Sequence, residues 1–472
     1  MKTGVVKYSA ISSLDFRIDP SLHLSQGIVV RKELQKSPLG LTFIGDVTED
    51  VFIGNIFSRN WVADKEHGIT YLAASDSVIS DLEVGKYISR KQAADLAYLK
   101  VKPNWTLVTC SGTLGKTAFV NKHYCDKILT HDLLRVVPNE SKAKSGLIYA
   151  YLSSKYGYYQ ITQSKFGGVV KHINSDQAKQ IIIPRFSDEF QLSVHNLIEQ
   201  CSSMREEATD LLNKSQKLMK MYTGLEDLTI DDYNYFGQHS HAREVSCFTR
   251  SIKDVGIQSI NAFNHSQRVR ERIIDKLNKI PHILTSEAID ENGIYSSGGV
   301  EVKELKEGHG IMLINQSDIF DIVVKGKWVV KKEKYNKDLL SKGEILIAKI
   351  GTLGESESFC RCVFVGDELK GQLVSSAFYR MKASTRVTPG YLYTWLSSDY
   401  GFRLLRHTQY GTKLCYPNTD VFCDFPMPII EMPKMQEIDE IVNKAHELRY
   451  KAILKERKAI SMIEQEIEKW NN

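Results

Sequence analysis

The chain repeats itself, and this limits what it can fold into more than any other feature. Residues 146–157, Gly-Leu-Ile-Tyr-Ala-Tyr-Leu-Ser-Ser-Lys-Tyr-Gly, return at 390–401 as Gly-Tyr-Leu-Tyr-Thr-Trp-Leu-Ser-Ser-Asp-Tyr-Gly. The same register aligns Gly112-Thr113-Leu114-Gly115 with Gly351-Thr352-Leu353-Gly354, and Phe166-Gly167 with Tyr410-Gly411, at shifts of 239 (351 − 112) to 244 (390 − 146) positions. Near the front of each copy, Gly68-Ile69 and Ser75-Asp76 fall on Gly310-Ile311 and Ser317-Asp318. Shared order and spacing over this distance mean two copies of one folding unit, hence a pseudo-twofold protein. The length of 472 residues agrees, because it exceeds what one hydrophobic core usually organises.

Within each copy, short runs rich in β-formers, such as residues 68–72, 106–110 and 345–350, read as strands. The Leu-Ser-Ser segment carries Ile148, Tyr151, Leu152 and Tyr156 on a helical stripe. Each copy is therefore expected to be a mixed α+β domain. The boundaries read as one domain over 1–186, a long helix over 187–222, a connection over 223–245, a second domain over 246–432 and a second long helix over 433–472.

The long helices rest on periodicity. Phe190, Leu197, Met204, Leu211 and Leu218 recur every seven residues, and Val194, Cys201, Ala208, Ser215 and Tyr222 fill the second heptad position. From Ser187, an N-cap candidate, to Tyr222 such a helix is ~54 Å long, with Thr223-Gly224 as its stop. After Pro433 the second helix starts its seam with Ile438, Ile441, Ala445, Leu448 and Ala452, then drifts to Ile453, Ile460, Ile463, Ile467 and Trp470. Neither helix buries its stripe alone, so the economical solution is an antiparallel intrachain pair. The alternatives are that each packs on its own domain, or that one mediates dimerisation.

Chemistry-bearing motifs mostly fail on inspection. Residues 110–117 contain Gly-Lys-Thr, but only two residues separate the glycines where a phosphate-cradling loop needs four, and Glu355 replaces Lys116 in the second copy. Asp290, Glu301 and Lys303 form a loose acidic-acidic-lysine pattern of the kind that holds a nuclease metal, yet residues 59–61 of the first copy carry none of it. His131-Asp132 reads as a local hydrogen bond, not a catalytic dyad. No Asn-Pro-Pro-aromatic tetrad, Asp-Pro-Pro-aromatic tetrad or dinucleotide fingerprint is present. Eight scattered cysteines match no zinc spacing and read as reduced and structural. A net charge of +5 is compatible with a polyanion without requiring one. No run reaches the ~18 apolar residues of a membrane span, and residues 1–10 lack a signal-peptide core, so a cytoplasmic location is expected.

What remains is loop chemistry. Gln163 to His172 in the first copy corresponds to Thr408 to Tyr416 in the second, and both mix Lys or His with aromatics and glycines. Arg59-Asn60 beside Trp61, and Lys331-Lys332 after Trp328, form a second candidate surface.

The duplicated unit, the Gly-Thr-Leu-Gly turn, the Leu-Ser-Ser-x-Tyr-Gly segment and the Ile183-Pro184 and Met427-Pro428 leads into long helices resemble the DNA specificity subunits of Type I restriction-modification systems. The resemblance spans nearly the whole chain. It implies a non-catalytic protein with two target recognition domains, each reading half of a bipartite double-stranded DNA site, and paired helices that set the unread spacer. It implies that this chain holds no cofactor and docks two methyltransferase subunits, which bind S-adenosylmethionine, and in some systems a motor nuclease subunit as well. Type IIB and orphan methyltransferase systems use similar subunits, and a metal-dependent nuclease acting alone through Asp290, Glu301 and Lys303 is the competing class. Expected DNA contacts are Arg59, Asn60, Lys91, Lys116, Lys165, Lys171 and His172 in the first domain, and Lys331, Lys332, Arg406, Gln409, Lys413 and Tyr416 in the second. Expected partner-docking positions on the helices are Phe190, Leu197, Met204, Leu211, Ile441, Leu448, Ile460 and Ile467.

Overall fold

A computed structural model describes residues 25–112, 114–163, 172–229, 232, 249–266 and 269–471, with a few isolated positions before residue 25. The expected contacts Lys165 and Lys171, and most of the 223–245 connection, lie outside the described residues. The chain divides into two compact units, the first comprising Met1–Trp61, His67–Glu206 and Lys451–Asn472, the second Val62–Glu66 and Glu207–Tyr450. No helix among the described residues is long and apolar enough to cross a membrane.

The first unit opens with α1 (Gln26–Leu34) and β1 (Leu41–Phe43), which pairs antiparallel with β9 (Ile182–Pro184). Its main sheet has β2 (Thr48–Phe52), β8 (Leu133–Pro138), β5 (Thr106–Thr109) and β6 (Thr117–Phe119) side by side, all antiparallel. A smaller sheet sets β3 (Gly68–Leu72) between an antiparallel β4 (Tyr87–Ser89) and a parallel β7 (Ile128–Leu129). The helices are α2 (Arg90–Asp95), α3 (Ser145–Ser153), α4 (Lys155–Gln163), α5 (Ser175–Lys179) and, up to Glu206, the long α6 (Asp188–Thr223).

The second unit repeats this plan. β10 (His282–Leu284) pairs antiparallel with β19 (Pro426–Pro428) as β1 does with β9. β11 (Ile311–Ile314) lies between an antiparallel β12 (Lys327–Val329) and a parallel β15 (Leu373–Val374), matching β4, β3 and β7. β13 (Ile345–Ala348) lies between β14 (Cys362–Phe364) and β16 (Phe378–Met381), matching β6, β5 and β8. α7 (Pro389–Ser397), α8 (Asp399–His407), the hairpin β17 (Gln409–Tyr410) and β18 (Tyr416–Pro417), α9 (Thr419–Cys423) and, up to Tyr450, the long α10 (Met432–Lys469) complete it. The expected α+β duplication is thus present in both sheets, except that β2 has no counterpart strand among the described residues of the second unit.

The repeated segment is a buried helix, a sharp break and a second helix. Ser154 Oγ donates to the Tyr151 carbonyl at 2.6 Å and accepts the Gly157 N–H at 3.4 Å, closing one helix and capping the next. Ser398 does the same between Trp395 and Gly401 at 2.6 and 3.2 Å. The glycines are fixed by close approach. A Cβ on Gly157 would lie 2.4 Å from the Tyr151 carbonyl oxygen, and one on Gly401 2.4 Å from that of Trp395. At the head of the segment, a Cβ on Gly146 would lie 2.7 Å from the Cα of His195 on α6, and one on Gly390 2.6 Å from the Cα of Asp439 on α10. Each unit therefore presses its buried helix against a long helix through a glycine.

The long helices pair antiparallel. In the first unit, the Phe186 and Trp470 rings pack 5.8 Å apart at a 37° tilt, Lys455 Nζ donates to Gln200 Oε1 at 2.7 Å, and Arg205 grips Glu456 with two bonds of 3.1 and 2.9 Å. Glu456 also accepts a hydrogen bond from the Tyr149 hydroxyl of α3. In the second unit, the Tyr222 hydroxyl donates to Glu437 at 2.6 Å. The core beneath α3 includes Val194, Ile198, Ala459, Ile463 and Ile467, and that beneath α7 includes Met219, Met435, Ile438 and Val442.

The seam differs from the expected one in detail. Val194, Ile198, Cys201, Ala208, Ser215 and Met219 are buried, whereas Phe190, Leu197, Met204, Leu211 and Leu218 are half-buried flanks. On α10 the line 438, 445, 452 continues to buried Ala459, and Ile453, Ile463 and Ile467 of the expected drift are buried as well, while Ile460 and Trp470 are half-buried. The small Cys201, Ala208 and Ser215 and the charged Glu456 occupy seam positions where larger apolar residues would have marked the period.

Candidate nucleic-acid interface

In the first unit, Arg59 is exposed yet held in place. Its Nε donates to the Tyr71 hydroxyl at 2.8 Å, and its guanidinium carbon lies 5.3 Å from the Tyr71 ring and 5.6 Å from that of Phe57. An arginine stacked this way loses less side-chain entropy on meeting a ligand. Asn60, also exposed, is tied to the start of α2. Its N–H donates to Gln92 Oε1 at 2.8 Å, its carbonyl accepts the Ser89 N–H at 2.9 Å, and Lys91 stands exposed on the first turn. Phe57 also packs edge-on to His131, 5.8 Å away, whose pKa burial lowers despite the opposing charge of Asp132. Asp132 in turn faces the Cys110 thiol at 3.8 Å; burial, reinforced by that carboxylate, pushes the thiol pKa up to about 12. Cys110 is thus an inert thiol, and Asp132 bonds to it instead of forming a dyad with His131.

The turn and the loop seen in the sequence come together here. Ser111 bridges to His172, and the Ile173 N–H donates to the Cys110 carbonyl at 3.1 Å. The Lys116 backbone closes the turn on Thr109 by bonds of 2.9 and 3.0 Å, leaving its side chain half-buried beside the junction. Arg59, Asn60, Lys91 and the aromatic-backed His131 form one group, and Lys116 and His172 another, with Asp132 and Cys110 between them.

The second unit builds the same junction with different side chains. Gly351 and Cys415 exchange backbone hydrogen bonds of 3.3 and 2.7 Å. Lys413 is exposed on the tip of the β17–β18 hairpin, where the Tyr410 and Tyr416 rings stack 5.8 Å apart at 25°. Lys331 is exposed, while Lys332 is held by Glu301 at 2.5 Å.

Two expected contacts prove structural. Arg406 is 3% exposed and donates to the carbonyls of Leu353, Gly354, Glu357 and Phe359 at 2.9 to 3.4 Å. Burial lowers its pKa to about 10 without neutralising it at pH 7, and its guanidinium lies 4.2 Å from the Phe402 ring. It is a strut beneath the Gly-Thr-Leu-Gly turn. Glu355, on the same turn, is neutralised by Arg403 at 2.6 Å. Gln409 is 1% exposed, and its backbone carbonyl accepts from Asn264 at 2.8 Å.

The residues of the nuclease pattern are engaged locally. Asp290 accepts from the Asn292 backbone and side chain at 3.2 and 2.9 Å, and Glu301 faces Lys332. Among the described residues, no three His, Cys, Asp or Glu side chains converge as a metal-ion site.

The sequence reading missed Lys349. It follows β13, and its Nζ donates to Ser296 Oγ at 2.8 Å while lying 5.0 Å from the Tyr379 ring centroid. Burial lowers its pKa. The signal was available, because the shift of 239 sets Lys349 against Cys110 (349 − 110).

No protein-family model and no curated protein matches the chain. Among solved structures, it is similar to the Type-I restriction-modification system S subunit from M. genitalium, at 11% identity and a TM-score of 0.33, over 92% of this chain and 94% of that one. It is similar also to the HsdS subunit from Thermoanaerobacter tengcongensis, at 12% identity and a TM-score of 0.26, over 91% and 96%.

Proposed function

We propose that this chain is a sequence-specific DNA-binding specificity subunit: each unit reads one half of a bipartite duplex site, and the paired helices offer the docking surface for methyltransferase subunits. One observation carries the reading. Two units of matching strand order present the same turn-to-loop junction, built on matching packing residues but lined by different side chains: His172, Lys116 and Cys110 in one, Lys413, Tyr416 and Lys349 in the other. Two such readers in tandem suit an asymmetric two-part site, since duplex bases are distinguished by hydrogen-bond patterns in the major groove. The exposed Arg59, Lys91, Lys331 and Lys413 supply the phosphate contacts that position a reader without specifying sequence. S-adenosylmethionine is assigned to the partner subunits, and this chain to recognition without catalysis. Lys165 and Lys171, outside the described residues, stay in this reading as candidate DNA contacts.

The test is co-expression of the full chain with the neighbouring methyltransferase gene product, followed by mapping of adenine methylation across genomic DNA. A motif of two defined blocks separated by an unread gap is expected. Methylation without sequence preference, together with metal-dependent duplex cleavage by the purified chain, would overturn the reading in favour of a nuclease.

A further inference from the structure

At the residue after β5 and β13 the two units diverge in kind. The first places Cys110 there, 2% exposed with its thiol on Asp132. The second places Lys349 there, half-buried in a niche whose walls are well fixed. Tyr379, on the neighbouring strand and opposite Ile347, carries the lysine over its ring. Gln316 holds the next residue, Ile350, by its carbonyl at 2.6 Å and its N–H at 3.4 Å. Gly351 is locked to Cys415, which brings up the stacked Tyr410 and Tyr416 at the rim, both within electrostatic reach of Tyr379. Asp420, the acidic group that also acts on Tyr379, is exposed. Among the described residues, Ser296 is the one hydrogen-bond acceptor that the Lys349 ammonium meets, so two of its three donors remain for a ligand.

A lysine that serves a phosphate works as a mobile, hydrated point charge. This one is short of water, stacked, and anchored at both its backbone neighbours, which is the condition for reading position. We propose that Lys349 is a base-reading residue of the second unit, donating to the O6 and N7 acceptors of a guanine in the major groove, with the Tyr410–Tyr416 pair covering one side of the contact. Guanine is the base that offers two adjacent acceptors; adenine presents a donor next to its N7, which an ammonium cannot satisfy. The first unit, with Cys110 at this position, makes no such contact. The inference rests on the DNA-reading function proposed above.

The experiment is selection from a pool of random-sequence duplexes by the purified full chain, with sequencing of the bound fraction, for wild type, Lys349→Met and Lys349→Gln. Wild type is expected to enrich two blocks. Lys349→Met loses guanine preference about tenfold at one position of one block and leaves the other block intact. Lys349→Gln changes the preference at that same position from guanine to adenine, because an amide pairs with the adenine N6 and N7, and loss of a structural lysine would not produce that switch. If wild type enriches two blocks and both variants enrich the same guanine-containing motif, the inference is wrong and the function stands. If wild type enriches no motif, the DNA-reading function fails and takes the inference with it.

Discussion

Replacing Arg205 by Met tests whether the buried charge between the long helices holds the first unit together. The Glu456 side chain is 3% exposed and accepts three hydrogen bonds, two from Arg205 and one from the Tyr149 hydroxyl. At a separation of 2.9 Å and an effective dielectric of ~20, the Coulomb attraction is about 6 kcal/mol. Desolvation of the two ions costs several kcal/mol each, so the intact pair contributes little net stability. Its removal is another matter. Arg205→Met strands a carboxylate in an apolar seam and should cost about 3–5 kcal/mol, whereas Arg205→Met with Glu456→Met should return to within about 1 kcal/mol of wild type. Because the two units need not unfold together, the readout should be local: hydrogen exchange across α3 and residues 451–469, where a 3 kcal/mol loss speeds exchange on the order of a hundredfold. Acidification adds a second signature. In the wild type burial alone would raise the Glu456 pKa, but Arg205 and the two kinds of hydrogen bond outweigh it and hold it low. That contribution is present above the unfolded carboxylate pKa and is lost as pH falls through the folded value. In Arg205→Met burial dominates, the carboxyl takes a proton more readily, and the deficit shrinks as pH drops. A single variant within 1 kcal/mol of wild type at pH 7 would refute the argument.

Three further outcomes follow from the packing of the two units. Gly146→Ala and Gly390→Ala each force a Cβ to within 3 Å of a long-helix Cα, and thermal melts should show each variant destabilised by about 1–3 kcal/mol. Arg406→Gln withdraws donors from four turn carbonyls, so limited proteolysis should cut within residues 353–359 at least several-fold faster while α7 remains protected; unchanged cleavage would contradict the strut role. Burial, with the nearby His265 and Arg250, lowers the His407 pKa to about 4, so the unfolded chain binds more protons between pH 6.5 and 4. Its contribution is whole above pH 6.5 and declines toward pH 4 by about 1.4 kcal/mol per unit, which urea midpoints at pH 7, 5.5 and 4.5 will reveal as a slope that His407→Phe flattens.

The sequence made the duplication and the helix pair legible because both rest on regularities that survive divergence: spacing between copies and a heptad of apolar residues. It placed Val194, Cys201, Ala208 and Ser215 in the seam correctly but set the other line one residue early, at Leu197 and Leu218 instead of Ile198 and Met219, because leucines mark a heptad more plainly; Glu456, in turn, reads as exposed. A buried charge is visible only once its partner Arg205 is seen across the pair. Arg406 was misassigned for a related reason. An arginine in a loop-rich region reads as a surface cation, and only the tertiary structure shows four carbonyls converging on it. Lys349 was passed over because it follows a buried apolar run, where a lysine reads as no more than a strand edge.

The residues the two copies share are those the fold demands. Gly146 and Gly390 admit a long helix, Ser154 and Ser398 turn the chain, Gly157 and Gly401 relieve a clash, and Tyr158 and Phe402 lie under the two Gly-Thr-Leu-Gly turns, where Gly115 approaches Tyr158 and Arg406 rests on Phe402. The packing helix itself varies, with Leu147 against Tyr391 and Tyr151 against Trp395, but those exchanges keep apolar or aromatic side chains in the core. At the junction the exchanges change chemical kind: Cys110 against Lys349, Leu134 against Tyr379, and Lys116 against Glu355. That contrast supports the proposed reading, in which two copies offer the same shape to a duplex and carry different side chains to its bases.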